Sequence, residues 1–256
     1  MPLPLCVPNE IYHGDALELF AAVPDGSVDL IVTDPPFAID FTAQRGNYNR
    51  KGDRVLEGYR EVLPCDYAAF TRSWIDQAYR ALSDAGSMYI FSGWTNLKDI
   101  LNAVDDAGFF TINHLIWKYQ FGVFTRKKYV TSHYHILFVV KNPKRYTFNK
   151  VEHYPEDVWI INREYWTGKK KTPTKLPMEI VRKILQFSSN PGDIVLDPFL
   201  GSGTVAVASK ELGRQYLGFE IVEDYYAFAR ERLEQTETRA ASPEGIISRA
   251  DEEVGQ

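Results

Sequence analysis

The hydrophobic positions along the chain follow two different periods. Short apolar runs of strand length are separated by longer stretches in which apolar residues recur every three or four positions, the spacing of an amphipathic helix. The strand-like runs are residues 28–32, 87–91, 111–117, 134–141, 193–196 and 215–219. The helix-like stretches begin at Tyr67, Leu97, Pro177, Thr204 and Tyr225. This alternation predicts an α/β protein with a mostly parallel sheet and helices on both of its faces.

Length and composition favour one globular domain. The chain has 256 residues, of which 45% are hydrophobic and 14% aromatic, so it can bury a sizeable core. Residues 1–236 are predicted to form a single domain, and residues 237–256 a polar, flexible tail. No apolar run approaches the length that spans a bilayer, so no membrane association is expected. Cys6 and Cys65 are too few for a disulfide framework, which predicts a cytoplasmic protein.

Basic residues are concentrated in a few segments, although the net charge is −5. Residues 118–150 hold eight Lys or Arg and no acid, whereas residues 231–256 hold seven acids and three Arg. Because phosphate binding follows the local field, this asymmetry permits a polyanionic partner, although a solvated surface would look the same. Two loops, 41–60 and 119–131, are the predicted contacts for such a polyanion. The residues assigned to phosphate contact are Arg45, Arg50, Lys51, Arg126, Lys127, Lys128, Lys169, Lys170 and Lys171.

A glycine-rich segment, residues 197–204, lies between a predicted strand and a predicted helix. Gly201 and Gly203 let the backbone approach a ligand, and the N–H groups of the following helix point at it. Glu220 ends the next strand, 23 residues after Asp197, where an acid can accept hydrogen bonds from both hydroxyls of a ribose. The combination predicts a nucleoside-bearing cofactor. NAD is the competing ligand, and a tight turn without a ligand is the structural alternative.

Asp34, Pro35, Pro36 and Phe37 follow the first strand-like run. The Asp34 carboxylate and the Pro35 carbonyl are two hydrogen-bond acceptors, and proline has no N–H of its own. Two acceptors suit an exocyclic amino group with two hydrogens, and the Phe37 ring can stack on the base that carries it. A base inside a duplex cannot reach such a pocket, so the base must be flipped out. An ordinary Asp-Pro-Pro turn is the alternative.

With these two motifs in this order, the chain resembles the beta class of amino-directed DNA methyltransferases, in which the catalytic motif precedes the cofactor motif. Residues 32–37 are similar to the family's Asp-Pro-Pro-Tyr segment, with Phe37 in place of Tyr. Residues 172–177 resemble its His-Pro-Thr-Gln-Lys-Pro segment, and residues 189–203 its cofactor strand and loop. The resemblance implies a doubly wound, mostly parallel, seven-stranded Rossmann-like sheet in circularly permuted motif order. It also implies a small target-recognition insertion at residues 142–171.

The same resemblance implies transfer of a methyl group from S-adenosylmethionine to an exocyclic amino group of double-stranded DNA. Adenine N6 is the expected target, because Asp at position 34 is more typical of the adenine enzymes. Cytosine N4 is the alternative, and methylation of RNA or of a protein amide is a more distant one. No metal is required. A homodimer and a cognate restriction endonuclease are further partners that the family relationship allows.

The implied site residues fall into two groups. The catalytic positions are Asp34, Pro35, Pro36 and Phe37. The cofactor positions are Asp15, Thr174, Asp197, Pro198, Phe199, Gly201, Ser202, Gly203, Thr204 and Glu220.

Overall fold

The computed structural model of the protein describes residues 5–37, 62–120, 122, 125–164 and 175–237. Within these residues the strands form one eight-stranded sheet. The strands are β1 (Glu10–His13), β2 (Val28–Thr33), β3 (Leu82–Ser92), β4 (Phe110–Lys118), β5 (His133–Val140), β6 (Val158–Ile160), β7 (Ile194–Asp197) and β8 (Gln215–Glu220). Their order across the sheet is β1-β8-β7-β2-β3-β5-β4-β6.

All the strands of this sheet except β5 run in one direction. The pairs β1–β8, β8–β7, β7–β2, β2–β3 and β4–β6 are parallel, and β5 lies antiparallel between β3 and β4. The carboxyl ends of the parallel strands therefore meet at one edge, where ligands of open α/β sheets bind. The mostly parallel sheet of the sequence prediction is confirmed.

Helices cover both faces of the sheet. They are α1 (Ala16–Phe20), α2 (Tyr67–Ala81), α3 (Leu97–Ala107), α4 (Met178–Ser188), α5 (Thr204–Glu211) and α6 (Glu223–Glu234). One core cluster joins α1, α2 and α3 to the sheet through residues such as Phe20, Trp74 and Ile100. A second cluster joins α4 and α5 to the other face through residues such as Ile180 and Val205. The chain is therefore doubly wound, as predicted.

The sheet has one strand more than the seven expected. The additional strand is β6, which lies inside the predicted insertion at 142–171 and pairs in parallel with the end of β4. Val158 and Ile160 remain 46% and 81% exposed, so this three-residue strand is held by its backbone pairing and not by burial of its side chains. A run so short and so exposed has no hydrophobic period that a sequence pattern could reveal.

Strand β3 begins earlier than the apolar run at 87–91 predicted. It starts at Leu82, which pairs with Val28, and the register between the two strands shifts before Leu30 pairs with Ser87. Gly86 therefore lies inside the strand. In α4, Pro177 is the N-cap and Met178 the first helical residue, one position later than predicted.

Several predicted functional positions lie outside the described residues. They are the 41–60 loop with Arg45, Arg50 and Lys51, then Lys169, Lys170, Lys171 and Thr174, and the tail from residue 238 onward. No helix in the described part of the chain has the length and apolar character that crossing a membrane requires.

Candidate active site

Three acidic residues meet at the carboxyl edge of the sheet. Asp34 follows β2, Asp197 is the last residue of β7, and Glu220 is the last residue of β8. Because β2, β7 and β8 are consecutive neighbours in the sheet, residues far apart in sequence come together here. The structure thus joins the two motifs, which are about 160 residues apart in the sequence, into one site.

The loop after β7 needs glycine at two positions. Gly201 and Gly203 have φ angles of +54° and +77°, in the left-handed region that residues with a Cβ rarely adopt. Gly203 is also the N-cap of α5, and a Cβ there would lie 2.8 Å from the Cβ of Ala229 on α6. The loop is therefore fixed by backbone conformation and by close helix packing together.

Glu220 holds this loop through its carboxylate. Its Oε2 accepts a hydrogen bond from the Gly201 N–H at 2.7 Å, and its Oε1 accepts one from the Val222 N–H at 2.8 Å. Burial raises the pKa of Glu220, and these backbone donors oppose the rise by stabilising the charged form. Each carboxylate oxygen has a second lone pair, so the residue can accept further hydrogen bonds from a ligand.

Asp197 is the most deeply buried of the three acids. Its Oδ1 accepts a hydrogen bond from the Phe199 N–H at 3.1 Å. Burial raises the pKa of Asp197 to about 8, and the neighbouring charges of Asp34 and Glu220 add to the rise. A cationic ligand beside this carboxyl group would favour its ionised form.

The raised pKa of Asp197 predicts a pH dependence of stability. The pKa is about 8 in the folded chain against an ordinary 3.8, so between these values the folded state holds a proton that the unfolded state has lost. The free energy of unfolding should therefore fall as pH rises, by about 1.4 kcal/mol per pH unit for one proton. Urea unfolding of the ligand-free protein from pH 5 to 8 should show that the free energy of unfolding falls more steeply with pH in the wild type than in Asp197→Asn. Parallel curves for the two proteins would contradict it.

Asp34 has an unsatisfied acceptor. The residue keeps some accessible surface, but its Oδ1 is covered and has no hydrogen-bond partner among the described residues. Burial of the carboxyl group raises its pKa to about 7, and the Arg163 guanidinium opposes this rise. A buried acceptor without a partner is unusual in folded proteins and is a common property of binding sites.

An aromatic layer lies beside Asp34. The Phe37 ring stacks on Tyr134 with centroids 6.1 Å apart and planes at 18°, and Tyr134 stacks on Trp117 at 5.5 Å and 21°. Trp117 is fixed because its Nε1 donates a hydrogen bond to the Ile161 carbonyl at 2.8 Å. The carboxylate acceptor and the aromatic faces together can bind a planar group that carries an amine.

Comparison with known proteins identifies the family. The sequence profile of the N6/N4-type DNA methylases matches residues 28–231. The chain belongs to the DNA methylase family. It is 33% identical over 258 residues to the DNA adenine methyltransferase YhdJ of Escherichia coli (strain K12), covering 88% of this chain and 82% of the relative. It is 30% identical over 239 residues to the Type II methyltransferase M.HpaI of Haemophilus parainfluenzae, covering 86% of this chain and 72% of the relative.

A solved structure supports the same assignment. The crystal structure of the M1.HpyAVI–SAM complex superposes with a TM-score of 0.67 at 28% identity, covering 88% of this chain and 98% of that one. The chain is therefore a DNA methyltransferase, and the methyl donor of this family is S-adenosylmethionine.

Several residues of the methylase's predicted cofactor site have structural partners. The hydroxyls of Ser202 and Thr204 lie 3.3 Å apart, and Arg232 Nη1 on α6 lies 3.3 Å from each. Arg232 also donates to the Ser202 carbonyl. These side chains therefore tie the loop to α6.

Phe199, Pro198 and Asp15 also have defined places. Phe199 packs edge-on against Trp74, with ring centroids 5.7 Å apart, and Pro198 beside it is buried. Asp15 is the N-cap of α1, where its Oδ1 accepts a hydrogen bond from the Leu17 N–H at 2.8 Å. The Gly14 N–H donates to the Glu220 carbonyl at 2.9 Å, so this segment lies beside the end of β8.

The basic residues of the 119–131 loop lie on the side of the active site. This loop connects the carboxyl end of β4 to β5, and Arg126, Lys127 and Lys128 are exposed on it. Tyr119, at its start, donates its backbone N–H to the Ser132 carbonyl at 3.0 Å. The loop therefore carries these three cations at the same edge of the sheet as Asp34.

The histidines of β5 form a small cluster with one from β4. The His114 Nε2 and His135 Nδ1 atoms lie 2.8 Å apart, and the His133 and His135 rings meet edge to face at 5.1 Å. Burial lowers the pKa of His135 to about 4, and His114 and His133 add to the effect. In the ranges that the structure describes, no group of three or more His, Cys, Asp or Glu is arranged to hold a metal ion.

Three residues of the site were not assigned a role from the sequence. Trp117 and Tyr134 were placed only in predicted strands, and Arg163 lies in a stretch without a recognisable motif. The Arg163 guanidinium lowers the pKa of Asp34, against the effect of burial. Only the pairing of β6 with β4, which the sequence pattern does not reveal, brings it to the site.

Proposed function

We propose that this methylase transfers a methyl group from S-adenosylmethionine to the N6 amino group of an adenine flipped out of double-stranded DNA. The observation that carries the proposal is the Asp34 carboxyl group, whose buried Oδ1 has no partner among the described residues and which lies beside the Phe37–Tyr134 aromatic layer. The 33% identity to an adenine methyltransferase favours adenine as the base.

S-adenosylmethionine is proposed to bind along the carboxyl ends of β7 and β8. Glu220 would accept hydrogen bonds from the ribose, and the loop with Gly201 and Gly203 would cover the nucleoside with its backbone. Asp197 would face the positive charge of the methionine end, which would favour its ionised form. Asp15, Thr174, Pro198, Phe199, Ser202 and Thr204 complete the proposed cofactor site.

The target adenine is proposed to stack on Phe37, with its amino group held by the Asp34 carboxylate and the Pro35 carbonyl. Pro36 keeps this turn rigid. Two hydrogen bonds from the amino group orient the nitrogen lone pair towards the methyl group. The N–CH3 bond forms as the S–CH3 bond breaks, and its electron pair remains on the sulfur, which becomes neutral. One proton then leaves the nitrogen, and Asp34, which already accepts a hydrogen bond from it, directs its release.

DNA is proposed to bind across the carboxyl edge of the sheet. Arg126, Lys127 and Lys128 would contact phosphates, and so would Arg45, Arg50, Lys51, Lys169, Lys170 and Lys171. Flipping of the base is part of the proposal, because an amino group inside a duplex cannot reach a partly buried carboxylate. A homodimer and a cognate endonuclease remain predictions from the family relationship.

Base-resolved sequencing tests this proposal. DNA without methylation would be incubated with the purified protein and S-adenosylmethionine and then read by single-molecule sequencing. We expect N6-methyladenine within one short sequence context. If N4-methylcytosine is found instead, the amino-directed mechanism holds, and cytosine and not adenine is the target base. The absence of any modified base would contradict the proposal.

A further inference from the structure

Arg163 is brought to the active site by the eighth strand. After β6 the Ile161 N–H donates to the Lys118 carbonyl at 3.1 Å, and the Ile161 carbonyl accepts from Trp117 Nε1 at 2.8 Å. The Arg163 N–H donates to the Gln120 Oε1 at 2.9 Å. Three hydrogen bonds therefore fix residues 161–163 against the end of β4, at the edge of the sheet where Asp34 lies.

The aromatic layer holds the Arg163 guanidinium. The guanidinium carbon lies 3.7 Å from the centroid of the Tyr119 ring and 5.3 Å from that of Tyr134. Tyr134 is also the ring on which Phe37 stacks. A planar cation stacked on an aromatic face keeps its N–H groups in the plane and directs them sideways. The guanidinium and the Phe37 ring, on which the base is proposed to stack, therefore both lie against the Tyr134 ring.

Asp34 and Arg163 both have unused hydrogen-bonding capacity. The covered Oδ1 of Asp34 and the covered Nε of Arg163 find no hydrogen-bond partner in the part of the chain that the structure describes. The two residues nevertheless attract each other, since Arg163 favours the ionised form of the Asp34 carboxyl group. The site therefore holds an acceptor and a donor that interact electrostatically and that have no partner among the described residues, and a ligand of complementary pattern can satisfy both.

The matching pattern is a donor next to an acceptor on one edge of a planar ring. Adenine offers this at N6 and N1, and cytosine at N4 and N3, whereas guanine and thymine present a keto acceptor next to an N–H donor. We propose that the Arg163 guanidinium donates a hydrogen bond to the ring nitrogen next to the reacting amino group, adenine N1 in the proposed substrate. Arg163 is then a specificity residue that separates amino bases from keto bases. The inference rests on the proposed function.

Base analogues test this contact on the wild-type enzyme. The substrate would be a duplex oligonucleotide with the sequence context found by sequencing, and the target would be adenine, 1-deazaadenine or 7-deazaadenine. Replacing N1 by C–H removes the acceptor, and we expect kcat/KM to fall roughly 10- to 100-fold, the effect of one hydrogen bond to a charged donor. The 7-deazaadenine control alters the opposite edge and should be methylated nearly as fast as adenine.

A variant assigns the effect to Arg163. Arg163→Met keeps an unbranched stem on the Tyr119 ring but removes the donor. With adenine as the target we expect the kcat/KM of this variant to be roughly 10- to 100-fold below that of the wild type. Replacing adenine by 1-deazaadenine should then lower the kcat/KM of the variant only slightly further. Arg72→Met is the matched control, because Arg72 forms an exposed ion pair with Asp106; it should behave as the wild type with every base. Thermal melting and S-adenosylmethionine binding of both variants show whether the fold is intact.

The outcomes separate this inference from the proposed function. If replacing adenine by 1-deazaadenine lowers kcat/KM by the same factor in the wild type and in Arg163→Met, the proposed contact between Arg163 and N1 is wrong. The proposed function is unaffected by that result. Should Arg163→Met not fold, equal rates of the wild type on adenine and 1-deazaadenine would overturn it, and a selective loss with 1-deazaadenine would support it. If cytosine is the methylated base, 3-deazacytosine replaces 1-deazaadenine with the same expectation. A wild type that methylates none of these duplexes would overturn both proposals.

Discussion

The Asp34→Ala variant is expected to lose methyl transfer by a factor of about 10³ or more while it still binds S-adenosylmethionine. The carboxylate is the proposed acceptor for the reacting amino group, so its removal leaves the nitrogen neither oriented nor polarised. Cofactor binding should persist, because the Glu220 carboxylate and the loop that it holds do not depend on Asp34. The fold should tolerate the change, since the Asp34 Oδ1 makes no hydrogen bond with any described residue.

Two measurements separate the chemical effect from a structural one. Transfer of a labelled methyl group to DNA gives the rate, and titration calorimetry gives the affinity for S-adenosylmethionine. Asp84→Ala is the matched control, because Asp84 forms an exposed pair with Arg145 away from the site, and its rate should equal that of the wild type. An Asp34→Ala enzyme with the wild-type rate would show that the Asp-Pro-Pro segment is only a turn.

Gly203→Ala should destabilise the protein far more than Gly213→Ala. Both glycines have a left-handed backbone, with φ angles of +77° and +72°, so an alanine at either position costs about 1–2 kcal/mol of backbone strain. At Gly203 the new Cβ would also lie 2.8 Å from the Ala229 Cβ and 3.2 Å from its Cα, whereas nothing lies within 4 Å at Gly213. Overpacking adds about 1–3 kcal/mol.

Urea unfolding at a fixed pH measures this difference. We expect the free energy of unfolding to fall by about 1–2 kcal/mol in Gly213→Ala and by about 2–5 kcal/mol in Gly203→Ala. Gly203→Ala should also bind S-adenosylmethionine more weakly, because moving α6 or the loop displaces the backbone at the proposed cofactor site. Equal losses in the two variants would mean that the contact with Ala229 does not constrain the loop.

The core of the fold was predictable because its elements are long and periodic. The apolar run at 28–32 became β2 (Val28–Thr33), and the amphipathic stretch from Tyr67 became α2 (Tyr67–Ala81). The β1 and β6 strands were missed. Only one of the four residues of β1 is buried, and the three residues of β6 are mainly exposed and depend on the edge of β4 for their pairing. The early start of β3 was missed for a related reason: pairing with Val28, and not local propensity, extends it to Leu82.

The site was predictable only where it is local in sequence. Asp34, Gly203 and Glu220 could be identified because each lies at a strand end or in a turn with its own motif. Tyr134, Trp117 and Arg163 could not be assigned to the site, because only the β5-β4-β6 order of the sheet brings them to Phe37 and Asp34. Arg232 was missed for the same reason, because it lies on α6 and contacts Ser202 and Thr204 at the start of α5. Side chains that reach the site through tertiary pairing carry no short-range signal.

Nucleoside analysis of DNA methylated in vitro tests the central proposal most directly. The wild type and Asp34→Ala would each be incubated with DNA and S-adenosylmethionine that carries a labelled methyl group, and the digested nucleosides would be separated by mass spectrometry. The proposed mechanism predicts label in N6-methyldeoxyadenosine with the wild type and none with Asp34→Ala. Label in a carbon-methylated base, or equal label from the two proteins, would contradict it.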